Sequence, residues 1–415
     1  MVQAISPSLT DLGASCAHPG VALGASARCD VRRLCRGVRR SSSLDLRPSR
    51  ATTSKESNRQ SVSGTAPATG RKGPERIPVF DVDDFDEARP GPWEWDVCRL
   101  AASIVVASRE SGGKADSAAD AVTRAIDAYS GTIRRLADGP LVLRYYSLER
   151  VAERVSEEKK PRYSKLSPGF EELFGDLHVD TQGETVRKMI TDDGKGSAFD
   201  AKEAAPISDA DEGSVVASYS TYLTTLDPSL RRVLDGYSPK CVGERPVGEG
   251  SLGLRNYLVK IAGRQPDDGL ILQVKEATPS ALDTALEAHR AIHEGERVVE
   301  MQRTMQAVTD PLLGSTSIDG QAYYVRQFRD GKANPDLLQL DGDQLLQYSA
   351  LCGATLARAH ARSADPRAGT LGMISGYIES DQQKFAAALA EFAERYAEVT
   401  RADQEALGAS RGRER

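Results

Sequence analysis

Apolar positions change their spacing twice along this chain. Over 97–108, Leu100, Ile104 and Val105 recur at helical spacing, and similar patterns run through 117–137 and 147–157. Just before them, Ile77-Pro78-Val79-Phe80-Asp81-Val82 reads as a short buried strand. Residues 158–240 are polar and mixed, with short helices expected at 183–191 and 213–224. From 241 to 330 the period becomes two. Leu254–Ile261 and Leu270–Lys275 read as strands around a turn at Pro266–Gly269. Leu312–Ile318 and Gln321–Phe328 flank Asp319-Gly320, a hairpin signal. Between these pairs, Ser280 is placed to cap a helix that begins at Ala281, has Asp283 in its first turn and runs to Thr309 with a break at Gly295. Asp343–Arg362 and Gln382–Leu407 return to the helical period. No internal repeat is present.

Composition alters this picture at one end. The 415 residues are 40% hydrophobic with a net charge of −6, and mean hydropathy is −0.42. That describes a soluble globular protein with no reason to expect nucleic acid as a partner. No run of 18 apolar residues exists, so no membrane span is expected. Residues 1–73 hold 12 Lys and Arg against 4 Asp and Glu, about +8, while the remainder holds 42 against 56, about −14. The basic segment is rich in Ser, Arg, Ala and Gly and has no periodic apolar pattern, so it is expected to be disordered. The six cysteines, Cys16, Cys29, Cys35, Cys98, Cys241 and Cys352, form no C-x-x-C pair. This scatter suggests a reducing, cytoplasmic setting. His289 and His293 are four apart and could share a metal; a solvated helix face is the simpler reading.

The chemistry is concentrated in two places. Gly248, Gly250 and Gly253 form a G-x-G-x-x-G run, and Lys275 follows 22 residues after Gly253 in Leu272-Gln273-Val274-Lys275-Glu276-Ala277. A dinucleotide fold would continue from the glycines into a helix. Here they continue into a β-rich segment, so they sit between two strands, where backbone N–H groups can approach phosphate unhindered by a Cβ. An ordinary glycine hairpin is the plain alternative. Lys275, flanked by Val274 and Ala277, would then pair phosphate oxygens of a bound nucleotide, the alternative being a surface lysine lying along apolar neighbours. The second place is the acidic cluster Asp81, Asp83, Asp84, Asp86 and Glu87 after the buried strand. Carboxylates this crowded repel unless a cation or base neutralises them. A helix glutamate is expected to hold Lys275. Glu296 and Glu300 share one helix face, and Glu300 is preferred, the alternative being a solvated glutamate paired with Arg297 or Arg303. Trp93 and Trp95 read as core packing.

Several strings resemble the bacterial family known as domain of unknown function 2252. They are Val79–Glu87, Gly91–Ser103, Val247–Arg255, Gln273–Ala277, Arg297–Glu300, Tyr324–Gln327 and Leu356–Arg362, and the resemblance spans Pro74 to the C-terminus. That family is grouped with the protein-kinase and aminoglycoside-phosphotransferase superfamily. The resemblance implies an α+β, kinase-like two-lobed fold in circularly permuted order. A five-stranded antiparallel small lobe would be inserted between helical large-lobe segments. The implied division is a disordered, non-native segment at 1–73, a helical large lobe with the acidic turn at 74–240, a small nucleotide-binding lobe at 241–330, and completion of the large lobe at 331–415.

By the same resemblance Asp84 would ligate Mg²⁺ with Asp86 assisting, and Asp96 would brace a catalytic loop. ATP and Mg²⁺ are the implied cofactors, and the reaction would be phosphoryl transfer to an acceptor that the sequence does not identify. The family's Gly-Asp-Ala-His-x-x-Asn-Phe-Gly segment, expected before the acidic strand, does not occur in 1–73. Gly175-Asp176-Leu177-His178 only imitates it, because Thr181 stands where Asn is required. Asp83 stands where the family usually has Asn. Arg358 and Arg362 would face that loop or favour the end of their helix. The expectation is therefore a phosphotransferase with impaired turnover, or a non-catalytic nucleotide-binding or scaffolding module, with an N-terminally truncated or mis-started family member of no stable function as a third reading.

Overall fold

A computed structural model describes residues 62–68, 75–112, 115–147, 182–192, 197–245, 253–265, 268–285, 293–328 and 340–411. In chain order the first elements are β1 (Val62–Ala68), β2 (Glu75–Phe80), α1 (Trp93–Glu110), α2 (Ala115–Asp138), α3 (Leu141–Tyr146), α4 (Gln182–Met189), β3 (Ile190–Asp192) and β4 (Ser197–Phe199). Next come α5 (Asp209–Thr224), α6 (Pro228–Leu234), β5 (Ser238–Glu244), β6 (Asn256–Ala262), β7 (Gly269–Glu276), α7 (Leu282–Ala285) and α8 (Glu294–Met305). The last are β8 (Gly314–Ile318), β9 (Gln321–Gln327), α9 (Gly342–Ser363), α10 (Thr370–Glu379) and α11 (Gln382–Arg411). Helix and sheet are mixed, as an α+β reading requires. Among the described residues no helix is long and apolar enough to cross a membrane.

The helical part forms because its apolar stripes need each other. On α1, Val97, Leu100, Ala101, Ile104, Val105 and Ser108 are buried at i, i+3 and i+4 spacing. They join Ala121, Val122, Ile126, Tyr129 and Ile133 of α2 and Leu356, Ala357 and Ala359 of α9 in one core. The α2 and α9 axes approach closely at Gly353, where a Cβ would run into the Ala125 backbone carbonyl. Asp341 starts α9 with a reciprocal cap, accepting from Gln344 N at 2.8 Å while the Gln344 side chain accepts from Asp341 N at 3.0 Å. Trp93 stacks on Tyr129 with centroids 6.0 Å apart, so this tryptophan packs against the core as expected.

The sheet is antiparallel with order β5-β6-β7-β9-β8. Its register alternates two unlike faces. Val259, Ile261, Leu272, Val274, Tyr323 and Val325 point to one side and pack on Val215, Tyr222 and Leu223 of α5. The other side carries Leu258, Ile271 and Phe328 against Met189 and Ala204; further along, the same face bears Lys275 opposite Tyr324 and Gln273 opposite Arg326. The β8–β9 turn uses Asp319 and Gly320 at φ 49° and 79°, the type I′ combination whose twist suits a two-residue hairpin.

Three expectations change. First, within the segment 1–73, residues 62–68 form β1, paired antiparallel to β2 with a register shift between Gly64 and Pro67; the rest of that segment lies outside the described residues. Pairing uses backbone groups that nearly every residue carries, so it leaves no apolar period to read. Second, α5 and α6, expected within the helical body, pack on the sheet through Val215, Tyr222, Leu226 and Leu234. Third, the break expected at Gly295 in the helix over Ala281–Thr309 falls at His293, whose extended backbone starts α8, and α8 ends at Met305; residues 286–292, between α7 and α8, lie outside the described residues. Gly295 lies at the start of α8, where a Cβ would strike the Tyr323 carbonyl, so this glycine permits contact with the sheet. His293 caps α8 by accepting from Glu296 N at 3.1 Å; His289, the helical pattern of 148–157 and the Gly175–Thr181 string lie outside the described residues.

Candidate functional site

The acidic segment leaves β2 as a tight turn whose residues alternate in role. Phe85 is 3% exposed and anchors the turn in the helical core. Ala88 N closes the turn on Phe85 O at 3.0 Å. Asp84 precedes the anchor at φ 65°, a left-handed conformation that short polar residues tolerate better than most. Asp86 follows it. Asp81 takes a separate path into the interior, where its carboxylate accepts from Val82 N at 2.9 Å and Ala307 N at 2.6 Å. Burial pushes the Asp81 carboxyl pKa up, against the opposing charge of Arg362 and Arg358 and the two amide bonds. Asp81 is thus a structural carboxylate.

Lys275 lies on β7 and Asp86 in the turn, 189 residues apart in sequence, and their side chains form an ion pair. The lysine is nearly enclosed, 12% exposed against 29% for Asp86. Burial works against its charge, but Tyr324, Asp86 and Asp84 and the hydrogen bond to Asp86 outweigh it, so its pKa is raised. Tyr324 is buried beneath, its hydroxyl pKa pushed up by burial and by Asp86. Asp84 therefore faces the same cationic group from the same turn. Two further residues belong here that the sequence reading did not single out. Arg326 has Nη1 3.9 Å from Asp83 Oδ1, and the Tyr324 ring centroid is 6.0 Å from both Lys275 Nζ and Arg326 Cζ. The signal available was the two-residue period itself, which puts Tyr324 and Arg326 on one side of β9.

Glu300 is not brought to Lys275. It lies on α8 with Glu296 and Arg303 on the exposed stripe, while Arg297, Val298, Val299 and Gln302 face inward. Glu300 forms no ion pair among the described residues. The two glutamates do share a face, but that face is the solvated one, and Asp86 is the partner of Lys275. The inward residue of consequence is Arg297. Its guanidinium donates to Ala88 O and Asp86 O at 2.7 Å and to Thr278 O at 3.0 Å, and its Nε meets Glu294 Oε2 at 2.5 Å. Arg297 thereby ties the acidic turn to the exit of the lysine strand. Ser280 adds to the tie, donating to Glu87 O at 2.9 Å, and Ala281 N donates to Glu87 Oε2 at 2.6 Å.

Gly253 stands at φ 87°, just ahead of β6, with nothing near the position of a Cβ. Gly248 and Gly250 lie outside the described residues. The glycine segment as a whole joins β5 to β6, which pair from Glu244 opposite Tyr257. Asp96 is 7% exposed and bonds His360 Nε2 at 3.1 Å, while His360 Nδ1 meets the Tyr129 hydroxyl at 2.8 Å. This relay fixes α1 to α9 and α2.

Among the described residues no group of three or more His, Cys, Asp or Glu side chains converges as a metal site. Mg²⁺ does not need one: it takes one or two carboxylates and completes its shell with water and phosphate oxygens. Asp84 and Asp86, two hard oxygen donors on one turn beside a phosphate-compatible cation, fit that demand.

The family described as "Uncharacterized protein conserved in bacteria (DUF2252)" matches residues 70–409, and the chain belongs to it. No match was found among curated proteins or solved structures.

Proposed function

We propose that this member of the DUF2252 family binds a Mg²⁺–nucleoside triphosphate between the five-stranded sheet and the acidic turn, and that it is a phosphotransferase of kinase-like design in circularly permuted order. The observation that carries the reading is the Lys275–Asp86 pair. It joins the lysine that follows a glycine hairpin to the carboxylate turn that precedes it in the chain. The order of hairpin, lysine strand, helix and hairpin supports the same reading.

Each residue has a role that follows from its placement. Lys275 would exchange Asp86 for phosphate oxygens, gaining a doubly charged partner at no further burial. Asp86, so released, and Asp84 would hold the metal ion. Bound Mg²⁺ would supply neutralisation of charge on the phosphate oxygens. Backbone N–H groups around Gly248, Gly250 and Gly253 would wrap the phosphates. Arg297 would keep the turn and the strand at a fixed separation, since phosphoryl transfer depends on positioning more than on covalent chemistry.

The test is calorimetric titration of ATP with Mg²⁺ into the protein and into Lys275→Ala. Loss of a charge-assisted contact is expected to weaken binding about ten- to a hundredfold. Equal affinity in both proteins, or no binding by the unaltered one, overturns the reading. Phosphate release measured in parallel separates transfer from binding alone: tight binding without release places the chain with nucleotide-binding scaffolds.

A further inference from the structure

We propose that Arg326 is a second phosphate-binding cation of this cleft, held on the sheet beside Lys275 and serving to select a polyphosphate. The inference rests on the nucleotide reading above and adds a residue to it. Its basis is the sheet register, which sets Lys275 opposite Tyr324 and Gln273 opposite Arg326. Residues directly opposite share a face, and so do residues two apart. Both cations therefore project from the same side of the sheet, flanking the Tyr324 ring.

What distinguishes Arg326 is how little of its guanidinium is committed. Nε donates to Gln273 Oε1 at 2.9 Å. Gln273 in turn donates to Asn256 Oδ1 at 3.0 Å, and Asn256 donates to Arg245 O at 3.3 Å. This chain of amides fixes the guanidinium plane through one edge. The Nη fork makes no hydrogen bond among the described residues: Asp83, its ion-pair partner, is 3.9 Å away, beyond hydrogen-bond reach, and Tyr324 meets the guanidinium through its ring. The side chain is 24% exposed, so an incoming anion can reach the fork. Lys275 has its ammonium on Asp86, which makes Arg326 the more available donor to a first-arriving phosphate.

The charge balance agrees. Asp83, Asp84 and Asp86 face Lys275 and Arg326, three carboxylates against two cations. A divalent ion added to the carboxylates turns the local balance from −1 to +1, which favours an anion beside the two cations. A planar fork presented edge-on suits two oxygens of one phosphate better than a point charge does.

Titration of ATP, inorganic tripolyphosphate and adenosine, each with Mg²⁺, into the unaltered chain, Arg326→Ala and Arg326→Lys tests this. Arg326→Ala should bind ATP and tripolyphosphate about ten- to a hundredfold more weakly and adenosine within about twofold of the unaltered chain. Arg326→Lys keeps the charge and loses the fork, so it should recover only part of the loss. Unchanged ATP affinity in Arg326→Ala overturns the inference while leaving the nucleotide reading intact. Equal losses for ATP and adenosine also overturn it, because they assign Arg326 to the base or to the fold. An unaltered chain that binds neither ATP nor tripolyphosphate removes both readings together.

Discussion

Arg297→Ala is the substitution for which the structure sets the strongest expectation on stability. The side chain is 4% exposed and its partner Glu294 9%. Three backbone carbonyls from two distant segments converge on the guanidinium. Each charge-assisted hydrogen bond contributes about 1.5–3 kcal/mol. Their sum overstates the effect, because burying a guanidinium costs several kcal/mol in the first place. Removing one partner of a buried pair exposes the asymmetry: Glu294 and the three carbonyls stay behind unpaired, at a cost of about 3–5 kcal/mol. That is a large share of a typical folding stability of about 5–15 kcal/mol. Urea midpoints should fall accordingly, and amide exchange at Asp86–Ala88 should accelerate even in molecules that remain folded. Adding Glu294→Ala removes the orphaned carboxylate, so the double variant should be more stable than the two single losses predict, by more than about 1 kcal/mol. A single variant within about 1 kcal/mol of the unaltered chain, or unchanged exchange at the turn, would refute Arg297 as the tie between turn and strand.

Two further outcomes follow from the same physics. Burial raises the native pKa of Asp81 above its ordinary 3.8, with Arg362 opposing; the native state then holds the proton more tightly than the unfolded chain does. This group favours folding fully below its unfolded pKa, and the contribution is lost as pH rises through the native value. As pH rises from the ordinary carboxyl value of 3.8 through the raised native one, the urea midpoint of Asp81→Asn should therefore decline less, or rise more, than that of the unaltered chain, and identical slopes would count against burial as the dominant cause. Gly353→Ala forces a methyl into the Ala125 carbonyl at the crossing of α2 and α9, so a loss of about 1–3 kcal/mol is expected by thermal unfolding; a loss below about 0.5 kcal/mol would mean that the helices can part freely.

What could be read from the residues alone was whatever a local period or a local turn encodes. Asp319-Gly320 specifies its own backbone geometry, so the hairpin it closes was legible. Lys275 stood out because it interrupts an apolar strand soon after a glycine run, and the acidic cluster because five carboxylates follow one buried strand. Their meeting was legible only through the family resemblance, since nothing local links residues 189 apart. Period fixes which residues share a face; it does not fix which face turns inward. Glu300 shows this limit. Its helix was expected and its neighbour Glu296 was placed beside it correctly, but the stripe that docks on the sheet is the one bearing Arg297, Val298 and Val299. An arginine three residues after Glu294 looks like a solvated helix pair. It is instead the centre of the tie, because the carbonyls that need it belong to a turn some 210 residues earlier. Buried polar hubs are defined by the convergence of backbone groups, and backbone groups are the part of a protein that sequence distinguishes least. The same reason hides β1, whose pairing with β2 is a matter of backbone register. For a site built at the meeting of two distant segments, the chemistry-bearing side chains are therefore easier to find than the residues that hold them in place, and Arg297 is of the second kind.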